Sequence, residues 1–231
     1  MTTALIVPAA GSGRRMAMGR PKALLDVGGV PLLRRTLSRF LPVRDITEAV
    51  VVSPAGAVPE IQAALVGLEW PGCQVGVVTG GATRQESVRI GLEALAGHHD
   101  LVCVHDAARP LVSRATIRAV LAAAGSTGAA SAARRATDSV REELEDGVTR
   151  TLDRSRIWLV ETPQAFSYEM LARAHEQAVA TGRKATDDAA LVESCMGTSV
   201  CLVESEGPNF KVTRPEDLRL VRQVLGETED R

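Results

Sequence analysis

Short β-rich runs separated by helix-spaced stretches fill the first half of the chain, and that alternation narrows the possible folds more than any other feature. Residues 4–8, 49–53, 74–79 and 101–105 are brief, mainly apolar runs rich in Val, Ile and Leu. They are too short for helices and read as buried strands. Between them, residues 32–40, 59–68, 83–95 and 113–124 have helical character. In the third of these, Val88, Leu92 and Leu95 fall on one face, and Ser113 stands where the fourth needs a cap. Strands alternating with helices predict an α/β class domain with a mostly parallel sheet flanked by helices. A length of 231 residues suits one such domain.

The rhythm changes after Gly128. Glu145-Asp146-Gly147 is a hairpin signal, because Asp-Gly suits the positive φ of a tight two-residue turn. Its flanks, 138–143 and 148–154, are polar on both faces, and a lone two-stranded ribbon needs outside support. The expectation is a single domain over 1–231 with a protruding β-arm at 132–158. Further helices are expected at 168–181, 187–195 and 215–225, and a strand at 199–203.

Charge and composition remove several function classes. Lys and Arg number 27 against 28 Asp and Glu, so there is no overall basic footprint for nucleic acid. Aromatic residues make up 3% of the chain, too few for a base-stacking platform. No apolar run approaches the ~20 residues that cross a bilayer, and the first residues lack the basic-then-apolar order of a secretory signal. Cys73, Cys103, Cys195 and Cys201 show no CxxC spacing and read as free thiols of a reducing compartment, which predicts a cytoplasmic protein. The four histidines do not pair with them at zinc-ligand spacing.

Chemistry concentrates at strand ends. The first run leads into Pro8-Ala9-Ala10-Gly11-Ser12-Gly13-Arg14-Arg15-Met16, followed by Pro21-Lys22. Tiny side chains let backbone N–H groups approach an anion, and the cations beyond suit a polyphosphate. The loop is not a Walker A sequence, and Met16 stands where a dinucleotide fingerprint has its third glycine. Asp106, in Val104-His105-Asp106-Ala107-Ala108-Arg109-Pro110, ends a predicted parallel strand, where α/β sheets bind ligands. A hard carboxylate there is placed to hold Mg²⁺ against nucleotide phosphates. His105 reads as a packed strand-end residue. Gly80-Gly81 opens the third helix and is placed to contact a nucleotide base. Lys211, between Asn209-Phe210 and Thr213-Arg214-Pro215, reads as a cation held in a fixed position.

Together these segments resemble the 2-C-methyl-D-erythritol 4-phosphate cytidylyltransferases, from residue 4 to about 225. PAAGSGRRM, PK, GGATRQESV, VHDAARP, TDSV, LDR, TPQAF, TDDA and NFKVTRPEDL occur in that family's order. The resemblance implies a nucleotidyltransferase-type, Rossmann-like α/β fold with the arm exchanged across a homodimer. It implies an enzyme that transfers CMP from CTP to 2-C-methyl-D-erythritol 4-phosphate, giving the CDP-linked alcohol and pyrophosphate, with Mg²⁺. Arg15, Lys22 and Lys211 would be the catalytic cations. Ala9, Ala10, Gly11, Gly13, Gly81 and Ser87 would bind CTP, and Asp106 would also serve the metal. Asp106, Arg109, Ser139, Arg154, Thr162 and Thr186 would meet the acceptor. Ala82 departs from the acidic residue often found in the family, and Ser139 replaces its usual Thr. The alternatives are a cytidylyltransferase for ribitol 5-phosphate or another polyol phosphate, a transferase using another nucleotide, and a nucleotide-binding module without turnover.

Overall fold

The first apolar run becomes the middle of the sheet. β1 (Thr3–Pro8) pairs in parallel on both sides, with β4 (Ile46–Ser53) and β6 (Leu101–Val104). Ala4, Leu5, Ile6 and Val7 have no exposed surface. A strand covered on both faces has no polar side to alternate with, hence its continuous apolar sequence. The computed structural model describes residues 1–10, 20–145 and 147–226.

Beyond β4 lies β5 (Gln74–Thr79), again parallel. On the other flank, β10 (Trp158–Ser167) runs antiparallel between β6 and β7 (Ala129–Arg135), and β11 (Cys201–Glu204) closes the edge parallel to β7. The order of the seven-stranded sheet is β11-β7-β10-β6-β1-β4-β5. A short hairpin, β2 (Asp26–Val27) with β3 (Val30–Pro31), follows a single 3-10 turn at Lys22–Leu24.

Helices cover both faces. α1 (Leu32–Ser38), α2 (Val58–Leu65) and α4 (Arg114–Thr127) pack one side through Leu33, Leu37, Ile61, Ile117 and Val120. α3 (Arg84–Glu93), α5 (Tyr168–Thr181) and α6 (Asp188–Met196) pack the other through Val88, Leu92, Leu171, Leu191 and Val192. From β1 the chain goes on to β4 on one flank of the sheet and from β6 to β7 on the other, so the strand order diverges between β1 and β6 and the crevice there is a topological switch point. A third, smaller cluster joins Leu25, Val27, Leu32, Ala108, Leu111 and Val212 to Leu218 and Val221 of α7 (Pro215–Val224). It brings the Lys22 turn and the Lys211 segment to the same end of the sheet.

The ribbon read from the sequence is present. Among the described residues, β8 (Val140–Glu143) and β9 (Thr149–Leu152) pair only with each other, and they are largely exposed. The sequence reading did not place β7 and β10 in the main sheet. β7 reads Ala-Ala-Ser-Ala-Ala-Arg-Arg, which has little intrinsic strand preference, and burial between two neighbours overrides that deficit. β10 is interrupted: its pairing with β7 jumps from Val160–Ala133 to Gln164–Ser131. Glu161, Thr162 and Pro163 thus face the single residue Ala132, and the Thr162–Pro163 peptide is cis.

α3 lies close on β1. A Cβ built on Gly91 would sit 2.7 Å from Ile6 Cγ2 and 3.1 Å from Val52 Cγ2. Alanine is worth about 1 kcal/mol in helix propensity, whereas overpacking costs about 1–3 kcal/mol, so the steric cost wins. Gly91→Ala is expected to lower Tm by roughly 2–8 °C. A Tm at or above the wild-type value in a thermal melt would show that α3 lifts away at no cost.

Candidate active site

The C-terminal ends of β1, β5 and β6 open into a cavity of about 430 Å³. Pro8, Ala9 and Ala10 form one wall, Gly81, Ala82, Thr83, Arg84 and Ser87 another, and Asp106, Lys22 and Lys211 complete it. The Ala9 N–H is tied to the Val52 carbonyl at 2.8 Å, which fixes Ala9 at the strand end.

The Gly-Gly turn is required by space. A Cβ on Gly80 would lie 2.8 Å from Ala10 Cβ and 2.9 Å from both Ser87 Oγ and Val52 Cγ1. Thr83 caps α3 by accepting the Glu86 N–H, and Glu86 reaches back to accept the Ala82 N–H at 2.7 Å. Ser87 Oγ donates to the Thr83 carbonyl and accepts the Gly81 N–H. The turn that walls the cavity is therefore held by its own helix.

Asp106 is the centre of charge. Its Oδ1 meets Arg84 Nε at 3.2 Å, and its Oδ2 meets Lys211 Nζ at 2.8 Å and Arg109 Nε at 3.7 Å. Burial alone would raise its pKa, but Arg84, Lys211 and Arg109 outweigh burial and hold the carboxyl well below the usual carboxylate range. Arg84 also binds Asp188 at 2.7 Å. For this guanidinium burial works to lower the pKa, and the two carboxylates, Asp188 first, raise it further above its ordinary value. Asp188 is buried beside His175, which lies 3.7 Å from it.

Backbone geometry at Asp106 comes from below. The Asp106 N–H donates to Thr162 Oγ1, and Thr162 Oγ1 lies 3.1 Å from His105 Nδ1. His105 Nε2 faces the Arg109 carbonyl at 3.1 Å and must donate to it, so Nδ1 accepts the Thr162 proton. The imidazole is neutral in this arrangement, and burial drives its pKa down to about 4. His105 is the packed strand-end residue expected from the sequence, and it rests on Phe40.

The expected site residues thus divide. Ala9, Ala10, Lys22, Gly81, Ser87, Asp106 and Lys211 share the cavity. Lys22 Nζ also donates to the Val212 carbonyl at 2.9 Å. Arg109 and Thr162 stand beside or beneath Asp106, outside the described lining. Ser139, Arg154 and Thr186 are exposed and also outside it, with Arg154 donating to the Thr137 carbonyl at the arm. Gly11, Gly13 and Arg15 lie outside the described residues. Arg84 and Asp188 were within quoted motifs, but their pairing had no local signal because 104 residues separate them.

The donor set at Asp106 does not fit a resident divalent ion. Three cations already share the one carboxylate, and among the described residues no three His, Cys, Asp or Glu side chains converge. The expectation that Asp106 holds Mg²⁺ is revised on this geometry: a fourth cation there would face repulsion from Arg84, Lys211 and Arg109.

A mostly parallel sheet with a cation-lined cavity at its switch point defines a nucleotidyltransferase-type α/β domain. A family model described as 2-C-methyl-D-erythritol 4-phosphate cytidylyltransferase matches residues 3–227. A protein of that name from Syntrophus aciditrophicus is 40% identical over 230 residues, covering 98% of this chain and 97% of its own. One from Thermus thermophilus is 42% identical over 224 residues, with 97% of each covered. A solved structure from Anaerococcus prevotii, titled 4-diphosphocytidyl-2C-methyl-D-erythritol synthase, superposes with a TM-score of 0.86 at 28% identity, covering 98% of this chain and 99% of that one. The chain belongs to the 2-C-methyl-D-erythritol 4-phosphate cytidylyltransferase family. It is a CTP-dependent nucleotidyltransferase of isoprenoid precursor biosynthesis.

Acid should expose the carboxylate pairs. Asp106 and Asp188 have folded pKa values below their unfolded ones. Their stabilisation is complete above the unfolded value of about 3.9 and is lost as pH falls through the folded values. Asp188→Asn leaves Arg84 short of one partner, but Arg84 is 25% exposed, so the cost is expected at about 2–3 kcal/mol, below the range for a fully buried pair. Tm of the variant should also fall less steeply than wild type when pH drops below about 4. Parallel acid limbs in the two melts would show that Asp188 is not held ionised.

Proposed function

We propose that CTP and 2-C-methyl-D-erythritol 4-phosphate react in the cavity at β1, β5 and β6. The products are 4-diphosphocytidyl-2-C-methyl-D-erythritol and pyrophosphate. The observation that carries this reading is the convergence of Lys22, Lys211 and Arg84 on the strand end where Asp106 stands. An acceptor phosphate oxygen attacks the α-phosphorus of CTP. That new P–O bond forms as the bond to the β-phosphate oxygen breaks, and pyrophosphate leaves. Two anions must meet for this, so fixed cations are the main requirement.

Lys22 and Lys211 offset the repulsion and stabilise the charge of the transition state, with Arg15 assigned the same role by the family resemblance. Ala9, Ala10, Gly81 and Ser87 form the nucleotide side, extended by Gly11 and Gly13 in this reading. Asp106 orients Lys211 and Arg84 and meets the acceptor's hydroxyls, with Arg109 behind it. Thr162 acts from beneath by fixing the Asp106 backbone. Mg²⁺ belongs to the nucleotide substrate, carried on the CTP phosphates and neutralising part of their charge. Holding both phosphates in line supplies much of the remaining rate.

Ser139 and Arg154 serve the partner's cavity in this reading, with Thr186 on the same acceptor side. The support for exchange is the arm and the strand that follows it: Leu144 and Val148 of the arm and Leu159 and Val160 of β10 are exposed although apolar. A homodimer would cover them. A cytoplasmic setting accords with four free thiols, and among the described residues no helix is long and apolar enough to span a membrane.

Pyrophosphate release tests the reaction. CTP with methylerythritol phosphate should turn over, and UTP should be used orders of magnitude less well because buried polar groups reject a mismatched base. Faster release with ribitol 5-phosphate would reassign the acceptor. Lys22→Ala and Lys211→Ala should each lower kcat and kcat/KM together with little change in Tm. A variant that merely melts early would make that lysine structural.

The arm allows a separate test. Lys22→Ala and Arg154→Ala proteins, each inactive, are mixed and allowed to exchange subunits. If Arg154 serves the partner's site, half the sites in mixed dimers are intact, and about a quarter of all sites recover with random pairing. No recovered activity, with exchange confirmed by mass, would place Arg154 in its own chain's site.

A further inference from the structure

We infer that Glu161 is a positioning residue for Lys211, acting through the segment that carries it. Lys211 lies between β11 and α7 in a stretch with no regular secondary structure. Helix or sheet hydrogen bonds therefore do not hold its backbone. Backbone bonds tie Ser205 to Ala133 and Val212 to Ala108, Lys22 reaches the Val212 carbonyl, and between these anchors the side chains of Ser205 and Asn209 converge on one carboxylate.

Glu161 is 4% exposed and lies outside the cavity's described lining. Its Oε2 accepts from Ser205 Oγ at 2.8 Å and from Asn209 Nδ2 at 2.9 Å. Its Oε1 faces Arg134 Nε at 3.3 Å and Arg109 Nη1 at 3.9 Å. Asn209 Nδ2 donates as well to the Thr162 carbonyl, and the Asn209 carbonyl accepts from Arg109 Nη1 at 2.6 Å. Two residues on from Asn209, Lys211 Nζ meets Asp106 at 2.8 Å. Glu161 thus pins both the start of the segment and Asn209, two residues before the reacting cation.

The irregularity of β10 places it there. Glu161 is the first of three residues facing Ala132 across the interrupted ladder. An interruption of this kind releases a strand from strict alternation and re-aims a side chain. The cost of burying a carboxylate is offset by donors on both oxygens. A glutamine of the same shape cannot serve them, because its amide would turn N–H groups toward either Arg134 and Arg109 or Ser205 and Asn209. Lys211 would then lose its fixed place, and misplacement of about 1 Å costs on the order of a hundredfold in rate.

A double-mutant cycle decides the matter. Glu161→Gln, Lys211→Ala and the double variant are assayed for kcat/KM with saturating CTP and varied methylerythritol phosphate, alongside circular dichroism melts. Glu161→Gln alone should lose on the order of a hundredfold while remaining folded at the assay temperature. In the Lys211→Ala background the same change should cost almost nothing further, since the group it positions is gone. If the two losses multiply, Glu161 does not act through Lys211 and the inference is overturned. If Lys211→Ala alone leaves activity intact, the proposed role of Lys211 fails instead, and the two failures are distinguishable. Should Glu161→Gln not fold, the same cycle with Ser205→Ala, which removes one of the two bonds to Oε2, gives the answer by the same criterion.

Discussion

One buried carboxylate, Asp106, gathers Arg84, Lys211 and Arg109 from three separate stretches of chain. Each cation arrives on a differently built support: a capped helix, an irregular segment and a tight turn. Without the carboxylate those three positive groups would repel one another at the mouth of the sheet. With it Arg84 and Lys211 form a fixed, cation-rich wall backed by Arg109, and Lys22 closes the cavity from another turn. A reaction between two phosphates needs such a wall before either substrate arrives.

The supports explain why so many buried polar groups surround the site. Thr162 and His105 hold the Asp106 backbone, Asp188 holds the far side of Arg84, and Glu161 holds the Lys211 segment. Each buried group has partners that offset its desolvation. The arrangement places rigidity behind the cavity and leaves the cations facing into it. Lys211 remains 38% exposed at its side chain despite its short contact with Asp106.

The third apolar cluster links this chemistry to the fold. Val212 packs with Leu25, Ala108 and Leu218, and its backbone bonds both to the Ala108 carbonyl and to Lys22 Nζ. Apolar burial thereby fixes the relative placement of segments that carry charge. Lys22 and Val212 are 190 residues apart, and α7, packed through Leu218 and Val221, holds one of them in reach of the other.

Local pattern was enough to read β1, β4, β5 and β6, the helices between them, the polar ribbon, and the placement of Asp106 and the small-residue loop at strand ends. Periodicity, capping residues and turn chemistry act over a few residues and are written in the sequence. β7 and β10 were not legible, because an alanine-rich strand and an interrupted one owe their state to the neighbours that cover them. The same holds for the contact of Thr162 with Asp106, in which the hydroxyl accepts the Asp106 N–H across 56 residues. Arg84 with Asp188, and Glu161 with Asn209, are pairs across 104 and 48 residues. By itself the sequence determined which chemical groups stand at the ends of the strands. Only tertiary packing decided which of them meet, because contact between distant segments depends on how sheets and helices stack.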